Sequence, residues 1–190
     1  MARWEPNAQE RLTQAALELF VGQGYDRTTV AEITDRAGLT KRTFFRHYAD
    51  KREVLFLGQD QLTRLFTDAI KAAPTGATPL DAVTAALESA AAVFGQDRRE
   101  FVRQRQSVID ANDDLREREL LKLARLTAAM ATALRERGVA DPTAGLAAEV
   151  GSLAFVRAFE RWVSPSCEEK FATLAREALA ELKAAAATLA

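Results

Sequence analysis

Two residue types on which many enzymes depend are almost missing: the chain has one histidine, His47, and one cysteine, Cys167. That removes His-based triads, thiol–imidazole pairs, His/Cys metal cages and any intrachain disulfide. No GxGxxG or Walker-type glycine loop occurs either, so no cofactor is implied and the chain is not expected to be an enzyme. Carboxylate chemistry survives this filter, but the acids stand mostly at helix starts, where capping accounts for them. Proline and glycine are scarce, five and nine of 190 residues, and long β-branched runs are absent, which leaves a globular, helix-rich chain rather than a disordered one. No run approaches the ~18–20 apolar residues of a membrane span, and MARWEPNAQERL lacks the apolar core of a signal peptide. With the lone cysteine, this sets the expectation of a cytoplasmic protein away from membranes.

The formal charge of −1 gives no hint of nucleic acid, but one window does. Between positions 41 and 52 stand Lys41, Arg42, Arg46, Lys51 and Arg52 against a single acid, Asp50. Binding to a nucleic-acid backbone depends on the cations that reach phosphates and not on the total. The run around it, TTVAEITDRAGLTKRTFFRHYADK at 28–51, carries an ordered set of helix signals. Thr29 with Glu32 fits a capping box, Val30, Ile33 and Ala37 give a buried side, and Gly38 stands where a left-handed residue ends a helix. Thr40 can cap the next helix, and Leu39 with Phe44 has the spacing of a hydrophobic staple. Two short helices joined in this way form a helix-turn-helix.

On a wheel of ~100° per residue, the second helix puts Phe44 and Tyr48 on one side. Arg42, Thr43 and Arg46 fall on the other, with Phe45 and His47 on the flanks. On an isolated helix such a face reads first as solvated charge; the staple, the turn glycine and the shortness of the helix tip the reading toward DNA. Asp50 with Glu53 marks a further helix start, with Lys51 in its first turn, where a cation opposes the helix dipole. A DNA phosphate held by the backbone amides and Lys51 resolves that conflict; a Lys51 pointing into water resolves it as well.

Upstream, a loose arm at 1–5 carries Arg3, a phosphate contact or a solvated side chain. Residues 6–21 then place Leu12, Ala15, Ala16, Leu19 and Phe20 on one helical face, with Asn7 a candidate cap and Gly22 and Gly24 closing the helix. Downstream, Val54, Leu55, Leu62, Leu65, Phe66, Ala69 and Ile70 read as one rod of about 23 residues, ~35 Å long, ending at Pro74-Thr75-Gly76. Further helices are expected from Thr78-Pro79 with Asp81 to Phe94, from Asp97 with Glu100 to about 109, and from 112 to Gly138. Two more run from Asp141-Pro142 to 163 and from Ser166 with Glu169 to about 189. The expectation is an all-α chain of about nine helices. An N-terminal three-helix head at 1–55, with its helix-turn-helix at about 29–48, precedes a helical body at 56–190.

The run TTVAEITDRAGLTKRTFFRHYADKREVLF resembles the DNA-binding head of TetR/AcrR-type transcriptional regulators. The likeness covers residues 10–57 closely and the body by helix number and length. It implies a homodimer with a ligand-binding and dimerisation body. Thr28 or Thr29, Thr40, Lys41 and Lys51 would position the head on phosphates, and Arg42, Thr43 and Arg46 would face the major groove. Phe45 would pack on sugar or thymine methyl groups and His47 would reach backbone. Two positions depart from the family pattern: Phe45 stands where tyrosine is usual, and Arg42 where glycine is common. An arginine there can read guanine O6 and N7 in a bidentate way, worth ~1–3 kcal/mol of discrimination.

The function expected from this is a ligand-responsive repressor that binds a near-palindromic operator in double-stranded DNA as a homodimer. An activator or a ligand-independent regulator is the alternative, and a helical interaction module with no DNA role would show no salt-dependent DNA binding. Stripes on the last two helices (Leu146, Val150, Leu153, Leu174, Ala178 and Leu182, with small Gly151 and Ala154) read equally as a subunit interface or as intrachain core. A small-molecule effector is implied chiefly by the family. Phe66, Phe94, Phe101, Met130, Phe155, Phe159 and Trp162 are candidates to line its cavity, with Arg105 or Gln106 orienting a polar group. Each of these also reads as ordinary core.

Overall fold

The computed structural model describes residues 8–188; the arm with Arg3, the Asn7 cap and the end of the last helix at 189 lie outside them. Among the described residues there are nine α-helices and three short 3₁₀ turns and no strand, so the all-α expectation holds. The chain divides into two compact units, Met1–Leu57 with Gln104–Glu119, and Gly58–Arg103 with Leu120–Ala190.

The first unit is built on α1 (Ala8–Gln23), α2 (Val30–Ala37) and α3 (Lys41–His47), followed by a 3₁₀ turn at Arg52–Phe56. Leu12, Ala16 and Phe20 bury one face of α1, and Ile33, Ala37, Phe44 and Val54 bury theirs. The end of α6 (Arg99–Asp110) and the start of α7 (Asp113–Glu136) belong to this unit as well. Arg105 Nε donates to Leu55 O at 2.5 Å, its guanidinium lies 5.2 Å from the Phe56 ring, and Nη1 meets Glu119 Oε1 at 3.2 Å. Arg118 Nη2 reaches Glu53 Oε1 at 2.7 Å. Arg105 and Arg118 thus tie the α6–α7 corner to the 3₁₀ turn, a tie the contiguous sequence did not announce.

The expected rod is not one helix. The chain leaves the 3₁₀ turn at Leu57, passes through Gly58 at φ 89°, and only then enters α4 (Gln59–Ala72). The apolar pattern runs through this point without a break, but a left-handed residue cannot continue a right-handed helix, and only glycine adopts it freely.

The second unit packs α4, α5 (Pro79–Ala90), most of α7, α8 (Thr143–Val163) and α9 (Phe171–Ala187) around one core. Phe66, Ile70, Leu87, Leu126, Trp162 and Phe171 are among its largest fully buried side chains. Thr78 and Asp81 close a capping box ahead of Pro79, as expected. Three other boundaries differ. α5 stops at Ala90 rather than Phe94, and α6 begins at Arg99 without a cap from Asp97. α9 begins at Phe171 rather than at Ser166, whose hydroxyl meets Ser164 Oγ at 3.2 Å. The reason for the late start is visible: Arg99 donates to Cys167 O and Glu169 O, and Gln96 Nε2 to Glu168 O. These contacts hold the 167–169 backbone to the start of α6 ahead of α9.

The stripes on α8 and α9 divide. Gly151, Ala154, Leu174 and Ala178 are buried within the unit, whereas Leu146 and Leu153 are 63% and 44% exposed.

Candidate nucleic-acid interface

The helix-turn-helix closes through the local devices its sequence carries. Thr29 caps α2: its hydroxyl oxygen accepts from Glu32 N at 3.3 Å, while Glu32 Oε2 accepts from Thr29 N at 2.8 Å. The Thr29 hydroxyl and amide hold the Glu32 carboxyl below its ordinary 4.5. α2 ends at Gly38, φ 63°, with Gly38 N donating to Asp35 O and Leu39 N to Thr34 O at 2.9 Å. This double closure at a left-handed residue sets the exit direction of the chain. A Cβ on Gly38 would stand 3.0 Å from Arg11 Nη2, which itself donates to Ala37 O at 2.6 Å. Thr40 then caps α3, accepting from Thr43 N at 3.1 Å.

α3 is fixed by its inner face. Phe44 and Tyr48 are buried, their rings 5.3 Å apart. The Tyr48 hydroxyl lies 2.8 Å from Thr13 Oγ1 and donates to Gln9 O at 3.2 Å, which pins the helix to α1. Burial raises the Tyr48 phenol pKa above its usual range, so it stays protonated. With the inner face held, Lys41, Arg42, Phe45 and Arg46 are exposed, and Thr43 and His47 half-buried beside them. Phe45 is 56% exposed despite being fully apolar, edge-on to Phe44. Three cations around one exposed ring, on a short helix that presents them outward, can meet phosphates, base edges and thymine methyls together.

Two residues expected at phosphates make hydrogen bonds within the protein. Thr28 is 1% exposed and its hydroxyl donates to Gly24 O at 2.8 Å. Lys51 donates from Nζ to Tyr25 O at 2.7 Å and Thr28 O at 2.9 Å, and lies 4.0 Å from the Tyr25 ring centroid. Desolvation lowers its pKa and pushes that of the Tyr25 phenol up to about 12. Lys51 therefore clamps the loop that leads into the Thr29 cap. The amides expected to hold a phosphate beside it are also taken, since Asp50 Oδ1 accepts from Arg52 N at 2.8 Å and Glu53 N at 3.1 Å.

Of the candidate effector residues, Phe66, Phe94, Phe155, Phe159 and Trp162 gather in the second unit. Centroids stand 5.6 Å apart for Phe66–Phe155, 5.8 Å for Phe94–Phe155 and Phe94–Phe159, and 5.4 Å for Phe94–Trp162. Phe171 stacks on Phe94 at 4.4 Å. Met130 shares this core, and Phe101 is half-buried in the same unit. Arg105 and Gln106 belong to the first unit, where Gln106 Nε2 donates to Glu119 Oε2 at 3.1 Å. The polar residue among the aromatic rings is instead Arg99, 5.0 Å from the Trp162 ring. No helix signal or motif marked it.

A three-helix head with a capped, outward basic helix after a tight turn defines a helix-turn-helix protein of the DNA-binding class. Residues 12–56 match the family described as bacterial regulatory proteins, tetR family. The chain is 39% identical over 90 residues to the HTH-type transcriptional regulator TcmR of Streptomyces glaucescens, over 47% of this chain and 38% of TcmR. It thus spans less than half of that relative's length. In fold it is similar to the transcriptional regulator FadR from Bacillus subtilis in complex with stearoyl-CoA, at 17% identity and a TM-score of 0.61 over 91% of this chain and 96% of FadR. A second likeness is to SmeT, the repressor of the Stenotrophomonas maltophilia multidrug efflux pump SmeDEF, at 19% identity and a TM-score of 0.58 over 95% of this chain and 90% of SmeT. Residues 12–56 thus carry the DNA-binding head of tetR-type bacterial regulatory proteins, and the relatives matched over part of the chain are transcriptional regulators. Among the described residues no helix is long and apolar enough to cross a membrane.

Proposed function

We propose that this chain is a cytoplasmic repressor that binds a near-palindromic operator in double-stranded DNA as a homodimer and is released by a small apolar or amphipathic molecule. The observation that carries the DNA reading is the division of α3 into a buried Phe44–Tyr48 side and an exposed Lys41–Arg42–Phe45–Arg46 side. Arg42, Thr43 and Arg46 enter the major groove; Thr29, Thr40 and Lys41 meet phosphates; Phe45 packs on sugar or methyl groups and His47 reaches backbone. Thr28 and Lys51 support this surface from behind. Residues 1–55 serve as the DNA-binding domain and 56–190 as the regulatory and dimerisation domain, with 104–119 lending the head its α6–α7 corner.

One head offers few phosphate contacts, so pairing two on a two-fold axis supplies both affinity and half-site spacing. The exposed Leu146 and Leu153 of α8 favour an interface through the last two helices. The aromatic cluster of the second unit is the effector site. SmeT is by its description a repressor and FadR was solved with stearoyl-CoA, which agrees with repression and with an amphipathic effector. Footprinting on DNA upstream of the chain's own gene tests the reading. A protected near-palindrome supports it, and no protection at low salt at micromolar protein contradicts it.

A further inference from the structure

Inside the second unit, two hydrogen-bond donors are buried side by side with nothing to bond to. Arg99 is 7% exposed and Trp162 is 0% exposed, and the guanidinium lies 5.0 Å from the indole ring. Arg99 gives Nη1 and Nη2 to Cys167 O and Glu169 O, both neutral, and among the described residues no carboxylate pairs with it. Its Nε and the Trp162 Nε1 have no acceptor among the described residues. A buried cation without a counter-charge and two buried N–H groups without acceptors are each unfavourable, and interiors rarely leave such groups alone. What the pair lacks is one thing, an acceptor carrying negative charge.

The surroundings narrow it further. Trp162 meets Phe94 at 5.4 Å and Phe171 at 6.4 Å, and Phe94 also touches Phe155 and Phe159, each at 5.8 Å. A bare inorganic anion would find apolar rings for most of its surface and lose its water without replacement. A carboxylate joined to an apolar body satisfies both halves of the site. Phe94 sits between two single 3₁₀ turns, Ala91–Val93 and Gln96–Arg98, with φ −109° and ψ 55°, and not within a helix. Its ring is half-buried, on a residue outside both α5 and α6.

We propose that this cluster binds an organic carboxylate, with the acid group on Arg99 and Trp162 and the apolar body among Phe94, Phe155, Phe159 and Phe171. The proposal names the chemistry of the effector site put forward above. It rests on that reading only for its consequence at the DNA, since the orphan donors stand irrespective of what the head does.

The chain has two tryptophans, so Trp4→Phe leaves Trp162 as the sole emitter. Dodecanoate and 3-phenylpropanoate are titrated against dodecanol and 3-phenylpropanol, followed by Trp162 emission and calorimetry. The expected result is a change in emission with either acid, binding at least tenfold tighter than its alcohol, and loss of that preference in Arg99→Gln. Trp162→Phe, read by calorimetry, keeps the ring and weakens the acids more than the alcohols. Should Arg99→Gln not fold by circular dichroism, Arg99→Lys keeps the charge without the planar fork and is expected to reduce the preference without abolishing it. Neither acid binding, acids and alcohols binding equally, or a preference untouched in the folded Arg99 variant overturns the proposal and leaves an ordered water as the missing partner. Operator affinity is measured in parallel. Acid binding that leaves it unchanged sinks the effector role and keeps the site, whereas intact operator binding without acid binding sinks the site and keeps the regulator.

Discussion

Lys51 shows how a cation in a basic window can be spent inside the protein. Its ammonium bridges the carbonyls of Tyr25 and Thr28, immediately ahead of the Thr29 cap, so it sets where α2 begins. Lys51→Met should lower head stability by about 2 kcal/mol, the scale of losing charge-assisted hydrogen bonds that leave their acceptors behind. Thermal or urea melts measure this. The slope of log Kd against log salt should stay as in wild type, because no phosphate contact goes with it; a slope lowered by about one would return Lys51 to the DNA surface. Glu32 supplies a pH-dependent counterpart. Its folded pKa lies below the ordinary 4.5, so its contribution is full above that ordinary value and is lost as pH falls through the folded one. Acid melts of wild type and Glu32→Gln should therefore differ most near neutrality and converge at low pH. A difference independent of pH would show that the carboxylate's charge plays no part.

Among elements, the devices of α2 and α3 were legible because each closes within a few residues: Thr29 with Glu32, Gly38 with Asp35 and Thr34, Thr40 with Thr43. The inward turn of Phe44 and Tyr48 follows from helical spacing alone. What was not legible depends on partners far along the chain. Lys51 finds carbonyls 26 and 23 residues away, Arg105 one 50 away, and Arg99 two at 68 and 70. Nothing local distinguishes an arginine that will clasp a distant carbonyl from one that will face water. The lost rod has a different cause. Hydrophobic periodicity averages over many residues and does not register one left-handed glycine. Gly58→Ala tests that point: φ 89° should make the substitution cost about 1 kcal/mol. A stabilised melt would mean that the segment can run as the continuous helix its pattern suggests.

At the scale of the whole molecule, binding a near-palindrome as proposed takes two copies of the chain. α8 leaves Leu146 and Leu153 exposed while its Gly151 and Ala154 serve the interior, so the outward stripe is what remains for a partner. Leu146→Glu with Leu153→Glu should give a monomer by light scattering at micromolar concentration, with the helical content of wild type. A dimer that persists would move the interface elsewhere on the body. The second unit would then set when DNA is released, through a ligand that prefers one head arrangement; a coupling of ~1–3 kcal/mol weakens DNA binding about 5- to 150-fold.

Salt-dependent fluorescence anisotropy with a duplex from the chain's own upstream region tests whether the outer face of α3 reads DNA. Wild type should bind with affinity falling steeply as salt rises. Arg46→Ala and Arg42→Ala should each weaken binding roughly tenfold or more, in line with a lost groove contact of ~1–3 kcal/mol. Binding by the Arg42→Ala, Arg46→Ala double variant equal to wild type, at every salt concentration, would contradict the account.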